Sequence, residues 1–296
     1  MKKPKYKLSV IISARNEGQE VLNTLASLYA TDPQGVEVIL VNDHSEDWPK
    51  EIPEYKGLRV LTLELPYYGL YDAIYKASEI MFSDKLFFCN ARCRFTPGWE
   101  QAFIKALDAE PHNLFSPTCA VLSYDNDKIE GAELRYGAKI DLFNDERQFK
   151  YYQLRAIKNK THKPVAWFGG MAMNRDWFLK LGGFYPLQTR GAMNAYISFK
   201  VWKAGGEVKV LDTVIGNIFR ETTSYPVTEA EQIYNYMVLA YVLRGTAFME
   251  EIVRGLKDKR GIGLAKHAFL HKMVEIKFER EKLIKLKKRD ITDLLT

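Results

Sequence analysis

A chain of 296 residues that is 47% apolar and 13% aromatic has enough core-forming surface for one large domain or two small ones, and it lies outside the disordered class. Its net charge of +6 is concentrated: Arg254 to Arg289 hold 13 Lys/Arg against four Asp/Glu, so the rest sums to about −3 and calls for no polyanionic partner. No uncharged apolar run reaches the ~18 residues of a spanning helix. The three cysteines lack CxxC spacing, which disfavours a disulfide framework or zinc site and leads us to expect a reducing, cytosolic setting.

The first hundred residues alternate strand and helix. "LSVIISA" is a buried strand, and Leu8 to Ile12 is too short an apolar run for a signal peptide. Residues 17–29 then place Val21, Leu22, Leu25 and Leu28 at helical spacing. "GVEVILVND", "LRVLTLEL" and "KLFFC" read as further strands, with a second helix over 70–81. Such alternation predicts an α/β fold with a mostly parallel sheet flanked by helices. Ligands of such sheets bind at the carboxyl ends of the strands, here marked by Ser13-Ala14-Arg15-Asn16-Glu17, Asn42-Asp43-His44-Ser45 and Asn90-Ala91-Arg92. No GxGxxG is present, so a dehydrogenase-type dinucleotide site is not expected.

Residues 114–167 mix β-rich pieces with polar stretches, followed by the pair Gly169-Gly170 and short helices over 175–181 and 195–204. A strand over 207–214 comes next. From Thr228 the pattern is helical nearly to the end, interrupted at "KDKRGIG". The expected organisation is a nucleotide-binding-type domain over 1–225 and a helical extension with a basic tail over 226–296. The last segment carries Phe269, Met273, Ile276, Ile284 and Leu286 at roughly helical spacing, an amphipathic helix with a basic face. Packing against the domain, a nucleic-acid contact or an anionic membrane surface would each use such a face.

"LSVIISARNEGQEVLNTLASL", "VEVILVNDHSED", "YYGLYDAIYKASEI" and "GGMAMNRDWFLKLGGFYP" together resemble glycosyltransferase family 2 and its GT-A-fold relatives. "CNARCRFTPGW", "RGAMNAYISFKVWKAGGEVKVLDTVIGNIFRETTSY" and "IYNYMVLAYVL" extend the likeness to the catalytic domain of the polypeptide N-acetylgalactosaminyltransferases, from about Leu8 to Leu243. The resemblance implies transfer of a sugar from a nucleotide-diphosphate donor, a UDP-sugar, to a protein or glycan acceptor; the basic tail alone raises modified DNA as another. Those relatives use a divalent cation, and the resemblance places its three ligands at Asn90, Arg92 and Asn217. Arginine has no lone pair to offer and hard cations want charged oxygens, so no metal cofactor is expected here. The resemblance places Arg220 and Tyr225 at the diphosphate, Asp43 beside Asn42 at the nucleoside, and Gly169 and Gly170 at the donor sugar. Arg190, Met193 and Asn194 fall on the acceptor side, Met193 where the relatives carry a carboxylate.

A guanidinium supplies permanent charge and paired donors for phosphate oxygens, so Arg92 and Arg220, with Arg94 or Arg190, could form a clamp on the leaving diphosphate. The competing reading is a decayed site on a binding or scaffold protein. His44 is more simply an exposed loop residue, Cys93 a packed one, and Trp99, Trp167, Trp177 and Trp202 core. Glu133, Asp141 and Asp176 are carboxylates that a general base would require.

Overall fold

The structure is a computed structural model describing residues 5–66, 69–141, 153–156, 165–166, 170–189, 191–220, 224–257 and 259–290. In chain order it runs β1 (Leu8–Ala14), α1 (Gln19–Tyr29), β2 (Val36–Asp43), β3 (Arg59–Leu65), α2 (Leu70–Ile80), β4 (Lys85–Asn90), β5 (Cys93–Phe95) and α3 (Trp99–Ala109). There follow β6 (Leu114–Leu122), β7 (Glu133–Arg135), β8 (Ala138–Asp141), β9 (Gln153–Ala156), β10 (Met171–Asn174), α4 (Arg175–Lys180), α5 (Met193–Lys203) and β11 (Val208–Ile218). Four helices end it: α6 (Glu229–Arg244), α7 (Thr246–Gly255), α8 (Ile262–His271) and α9 (Met273–Leu286).

One sheet carries the order β3-β2-β1-β4-β10-β6-β11-β5, with β7 paired to β6, while β8 and β9 form a separate ribbon. The β1–β4 region is parallel, as the alternation predicts. β10 runs antiparallel to both β4 and β6, and β5 antiparallel to β11, which makes the sheet mixed. Period-two alternation divides the core between two faces. Val10, Ile12 and Phe87 join α1 and α3, through Leu25, Trp99 and Phe103, on one side. Ile11, Phe88 and Met171 meet Ile74, Tyr196 and Met237 on the other. Phe87, Phe95, Trp99 and Phe103 form a contiguous ring cluster, so the segment after β4 is anchored from below.

α6 is buried on nearly every side, and α7, α8 and α9 close over it, so the core continues across residue 225. A buried ion pair ties this layer to the sheet domain. Lys200 of α5, fully buried, donates to the Gly183 carbonyl at 3.1 Å and meets Glu279 Oε2 of α9 at 3.3 Å, with its ammonium over the Tyr196 ring. Burial lowers the Lys200 amine from 10.5 to about 8, against the opposing pull of Glu279. Between those two values the unfolded chain holds a proton that the folded chain releases, so Lys200 makes stability rise with pH from about 8 toward 10.5. Chemical-denaturation midpoints across that window should show the rise, and Lys200→Met should flatten it; Lys203, whose amine burial also lowers to about 8, keeps its own share. An unchanged slope in the variant would refute the assignment.

Candidate functional site

The carboxyl ends of β1, β2 and β4 lie side by side, since Ala14 pairs with Asn42 and Ser13 with Asn90. β11 brings Asn217 to the same edge by pairing with Cys93 of β5. A cavity of about 420 Å³ opens there, and α2, α5 and α6 supply its far wall through Tyr71, Met193 and Tyr236. It is large enough for part of a nucleotide sugar and combines an apolar lining with a few convergent charges.

Of the residues singled out in the sequence, Ser13, Ala14, Arg15, Glu17, Asp43, Asn90, Arg92, Gly170, Met193, Asn194, Asn217, Arg220 and Tyr225 line this cavity. Gly169 and Arg190 lie outside the described residues, as do Trp167 and the side chain of Asp141. Asn16 and Asn42 do not line it. Asn16, at φ +52°, joins loops by donating to the Ser224 carbonyl at 3.3 Å and accepting from the Glu46 amide at 3.0 Å. Asn42 donates to Glu64 at 2.6 Å and accepts from the Ser45 amide at 2.9 Å, so it shapes the β2 turn. Arg94 is drawn off to Glu20 and Asp127, both at 3.0 Å, which removes it from any clamp at the cavity. Glu133 pairs with Arg135 and does not line the cavity, nor does Asp176. His44 is exposed and Cys93 fully buried.

Charge at the cavity centres on Glu17. Its carboxylate meets Arg220 at 2.7 Å and Arg92 at 3.4 Å, and accepts from the Ser224 hydroxyl at 3.3 Å. Burial raises the Glu17 carboxyl above its usual range, with the two arginines pulling the other way. Arg92 is lowered chiefly by burial, offset by Glu17 and worsened by Arg220. Among the described residues the Nε of Arg220 and the hydroxyl of Ser13 are buried without a hydrogen-bond partner, while the Nε of Arg92 has only its 3.4 Å ion pair with Glu17. Donors left in this state at a cavity wall are ready for an anionic ligand. Arg15 stacks over the Tyr225 ring at 5.1 Å, and Asp43 accepts from the Gly69 amide at 3.1 Å. Gly170 holds φ +131°, and a Cβ there would run into the Phe87 ring, so only glycine fits this stretch of wall.

The positions where a cation would be expected are otherwise engaged. Asn90 donates its amide to Asn217 Oδ1 at 2.8 Å, its own oxygen accepts from the Arg92 amide at 2.9 Å, and Arg92 reaches the Ile218 carbonyl at 3.2 Å. Among the described residues no three His, Cys, Asp or Glu side chains cluster as ligands. Two neutral amides and a guanidinium do not fit a hard-cation ligand set.

Tyr71, Tyr236 and Phe88 also line the cavity without having been singled out. Tyr71 follows the glycine that opens α2, a position the "YYGLYDA" run exposes to notice, and its hydroxyl donates to the Gly191 carbonyl. Tyr236 carries no such signal, because α6 is apolar all round and its site-facing side has no period of its own.

Residues 9–182 match the family model "Glycosyl transferase family 2". A polypeptide N-acetylgalactosaminyltransferase 8 of Drosophila melanogaster is 29% identical over 241 residues, 75% of this chain and 40% of the relative. The human polypeptide N-acetylgalactosaminyltransferase 10 is 26% identical over 241 residues, 74% of this chain and 39% of the relative. The chain thus spans about two fifths of the length of these curated relatives. Among solved structures, GalNAc-T7 with UDP, GalNAc and Mn2+ superposes with a TM-score of 0.69 at 20% identity, over 93% of this chain and 54% of that one. S. aureus TarS 1-349 with UDP-GlcNAc gives 0.59 at 14% identity, over 97% and 83%. These likenesses bear out the GT-A fold expected from the sequence.

The expectation of no metal cofactor is corrected by the same comparison, since GalNAc-T7 holds Mn2+ together with UDP and GalNAc. The error has a physical source. A small hard cation beside a diphosphate takes much of its shell from phosphate oxygens and water, with one or two carboxylates from the protein. Counting substitutions at three protein positions is therefore a poor test for its absence. Among the described residues no helix is long and apolar enough to cross a membrane.

Proposed function

Because this chain belongs to glycosyl transferase family 2, we propose that its cavity binds a nucleotide-diphosphate sugar, a UDP-sugar, and transfers the sugar to a hydroxyl acceptor. The observation that carries the reading is the convergence of Arg92 and Arg220 on Glu17 at the strand ends, with the Nε of Arg220 left without a hydrogen-bond partner among the described residues. In this reading Asp43, with Ala14 nearby, meets the nucleoside, and Arg220, Arg92 and Tyr225 meet the diphosphate. Gly170 lets the donor sugar approach the backbone, and Met193 and Asn194 stand toward the acceptor. As the acceptor oxygen bonds to the anomeric carbon, the bond to the diphosphate breaks, its electron pair leaves with the nucleotide, and the hydroxyl proton passes to the departing diphosphate oxygen. Preorganised guanidinium groups stabilise that growing charge. Protein or glycan hydroxyls are the acceptor class in keeping with the polypeptide-modifying relatives. A helical extension after residue 225, packed on the donor domain and sharing its core, belongs to the same proposal, as does a reducing compartment, which three buried thiols support.

The test is calorimetric titration with UDP-, GDP- and dTDP-sugars, each with Mn2+ and with EDTA. Binding of a UDP-sugar with Mn2+ present is the expected result, and no binding of any donor in either condition would sink the proposal. The hydrogen bond that Asn90 donates to Asn217 favours a second reading, a donor-binding protein that does not turn over. Release of UDP from a bound UDP-sugar, in the presence of candidate acceptors, separates the two.

A further inference from the structure

Five of the ten large apolar side chains exposed among the described residues fall on α8 and α9: Leu264, Leu270, Val274, Phe278 and Ile284. The first four are 71, 68, 80 and 63% exposed. These helices have already buried a face, through Ala265, Phe269, Ile276 and Leu283, so the outward apolar residues are a second set that the fold does not use. Val274 and Phe278 stand one turn apart, with Lys277 and Lys285 on the same side of α9. From 262 to 288 the exposed charges are Lys266, Lys277, Lys285, Lys287 and Lys288 against Glu281 alone.

Charge decides what covers such a face. A second copy docked by two-fold symmetry would set lysines against lysines. A nucleic acid would satisfy the lysines and leave leucine, valine and phenylalanine in water. An anionic bilayer takes both, with phosphate headgroups for the lysines and the acyl boundary for the apolar side chains. We propose that the outer face of α8 and α9 docks on an anionic lipid surface, the helices lying in the interface without spanning it. This stands apart from the donor-site reading, since none of these residues lines the cavity.

The full chain is to be sedimented with phosphatidylcholine vesicles containing or lacking phosphatidylserine. Binding is expected only to the serine-containing vesicles, weakening as salt rises. A triple substitution, Leu270→Ser, Val274→Ser and Phe278→Ser, should weaken it about tenfold or more while the melting temperature and donor titration stay as they were. Charge reversal at Lys266, Lys277 and Lys285 should abolish it. Equal binding to both vesicles, no binding, or binding indifferent to the triple substitution would overturn the proposal. Concentration-dependent dimerisation lost in the triple variant would overturn it in favour of a second copy, and displacement by an RNA oligonucleotide without any effect of the apolar substitutions would do so in favour of nucleic acid.

Discussion

Replacing Arg220 with alanine is expected to weaken UDP-sugar binding by about tenfold to a hundredfold, the range for removing a hydrogen bond to a charged partner. The side chain comes from the segment after β11 and points one amine at Glu17, 2.7 Å away, while its Nε has no hydrogen-bond partner among the described residues. A diphosphate could take both donors at once, which is how guanidinium groups hold such anions. Arg92→Ala should act in the same direction, since Arg92 faces the same carboxylate across the cavity wall. Arg94→Ala is the control, because its two ion partners, Glu20 and Asp127, lie elsewhere. Isothermal titration of all three variants checks the prediction. An Arg220→Ala protein that binds the donor as before would remove the central support for the proposed function.

Glu17→Gln is expected to lower stability by about 3 kcal/mol, because two largely buried cations lose their shared counter-ion. Glutamine keeps the shape and the Ser224 hydrogen bond, so the loss isolates charge. The second half of the expectation has the opposite sign. UDP brings negative charge to the same arginines, so the rise in melting temperature on adding UDP should be larger in Glu17→Gln than in the parent protein. Calorimetry of both proteins with and without UDP reads the two halves in one experiment. A variant that is destabilised and also gains less from UDP would show Glu17 acting on the donor directly, not standing in for it.

The parallel half of the sheet was legible because each strand there is a short apolar run ended by polar residues, and each intervening helix shows its own period. β5 escaped notice: three residues, Cys-Arg-Phe, are too few to carry a pattern, although pairing through them brings Asn217 to the site. β11 extends to Ile218, past the end expected at 214, because a register shift between Leu211 and Val214 breaks its alternation. The long C-terminal helix divides at Gly245 as well as at the expected break near residue 260, so α6 and α7 are separate elements. At the site, strand-end positions account for Ala14, Glu17, Asp43, Asn90 and Arg92 of the cavity wall, while Gly170, Met193, Asn194, Asn217, Arg220 and Tyr225 came from the family resemblance. The sequence held no sign that Glu17 would bind two arginines, or that Arg94 would turn to Glu20, since those pairings depend on a fold that closes over 203 and 74 residues. Asn42 shows the limit from the other side. Its place at a strand end is right, and its hydrogen bonds are spent on the turn.

The hydrogen bond between Asn90 and Asn217 spans 127 residues, and the one from Asn16 to Ser224 spans 208. Closing such loops costs chain entropy, so these bonds depend on the pairing of β11 with β5 and β6 that holds the far end of the chain in place. The family-matching stretch, 9–182, covers the sheet from Ser9 of β1 to β10 and the strand-end residues Ala14, Asp43 and Asn90, yet ends before β11, Asn217, Arg220 and Tyr225. A fragment cut at that boundary would keep the likeness and lose one wall of the cavity. Recognisability and a complete cavity thus belong to different spans of the polypeptide, and the second is acquired only when the distant end of the chain arrives.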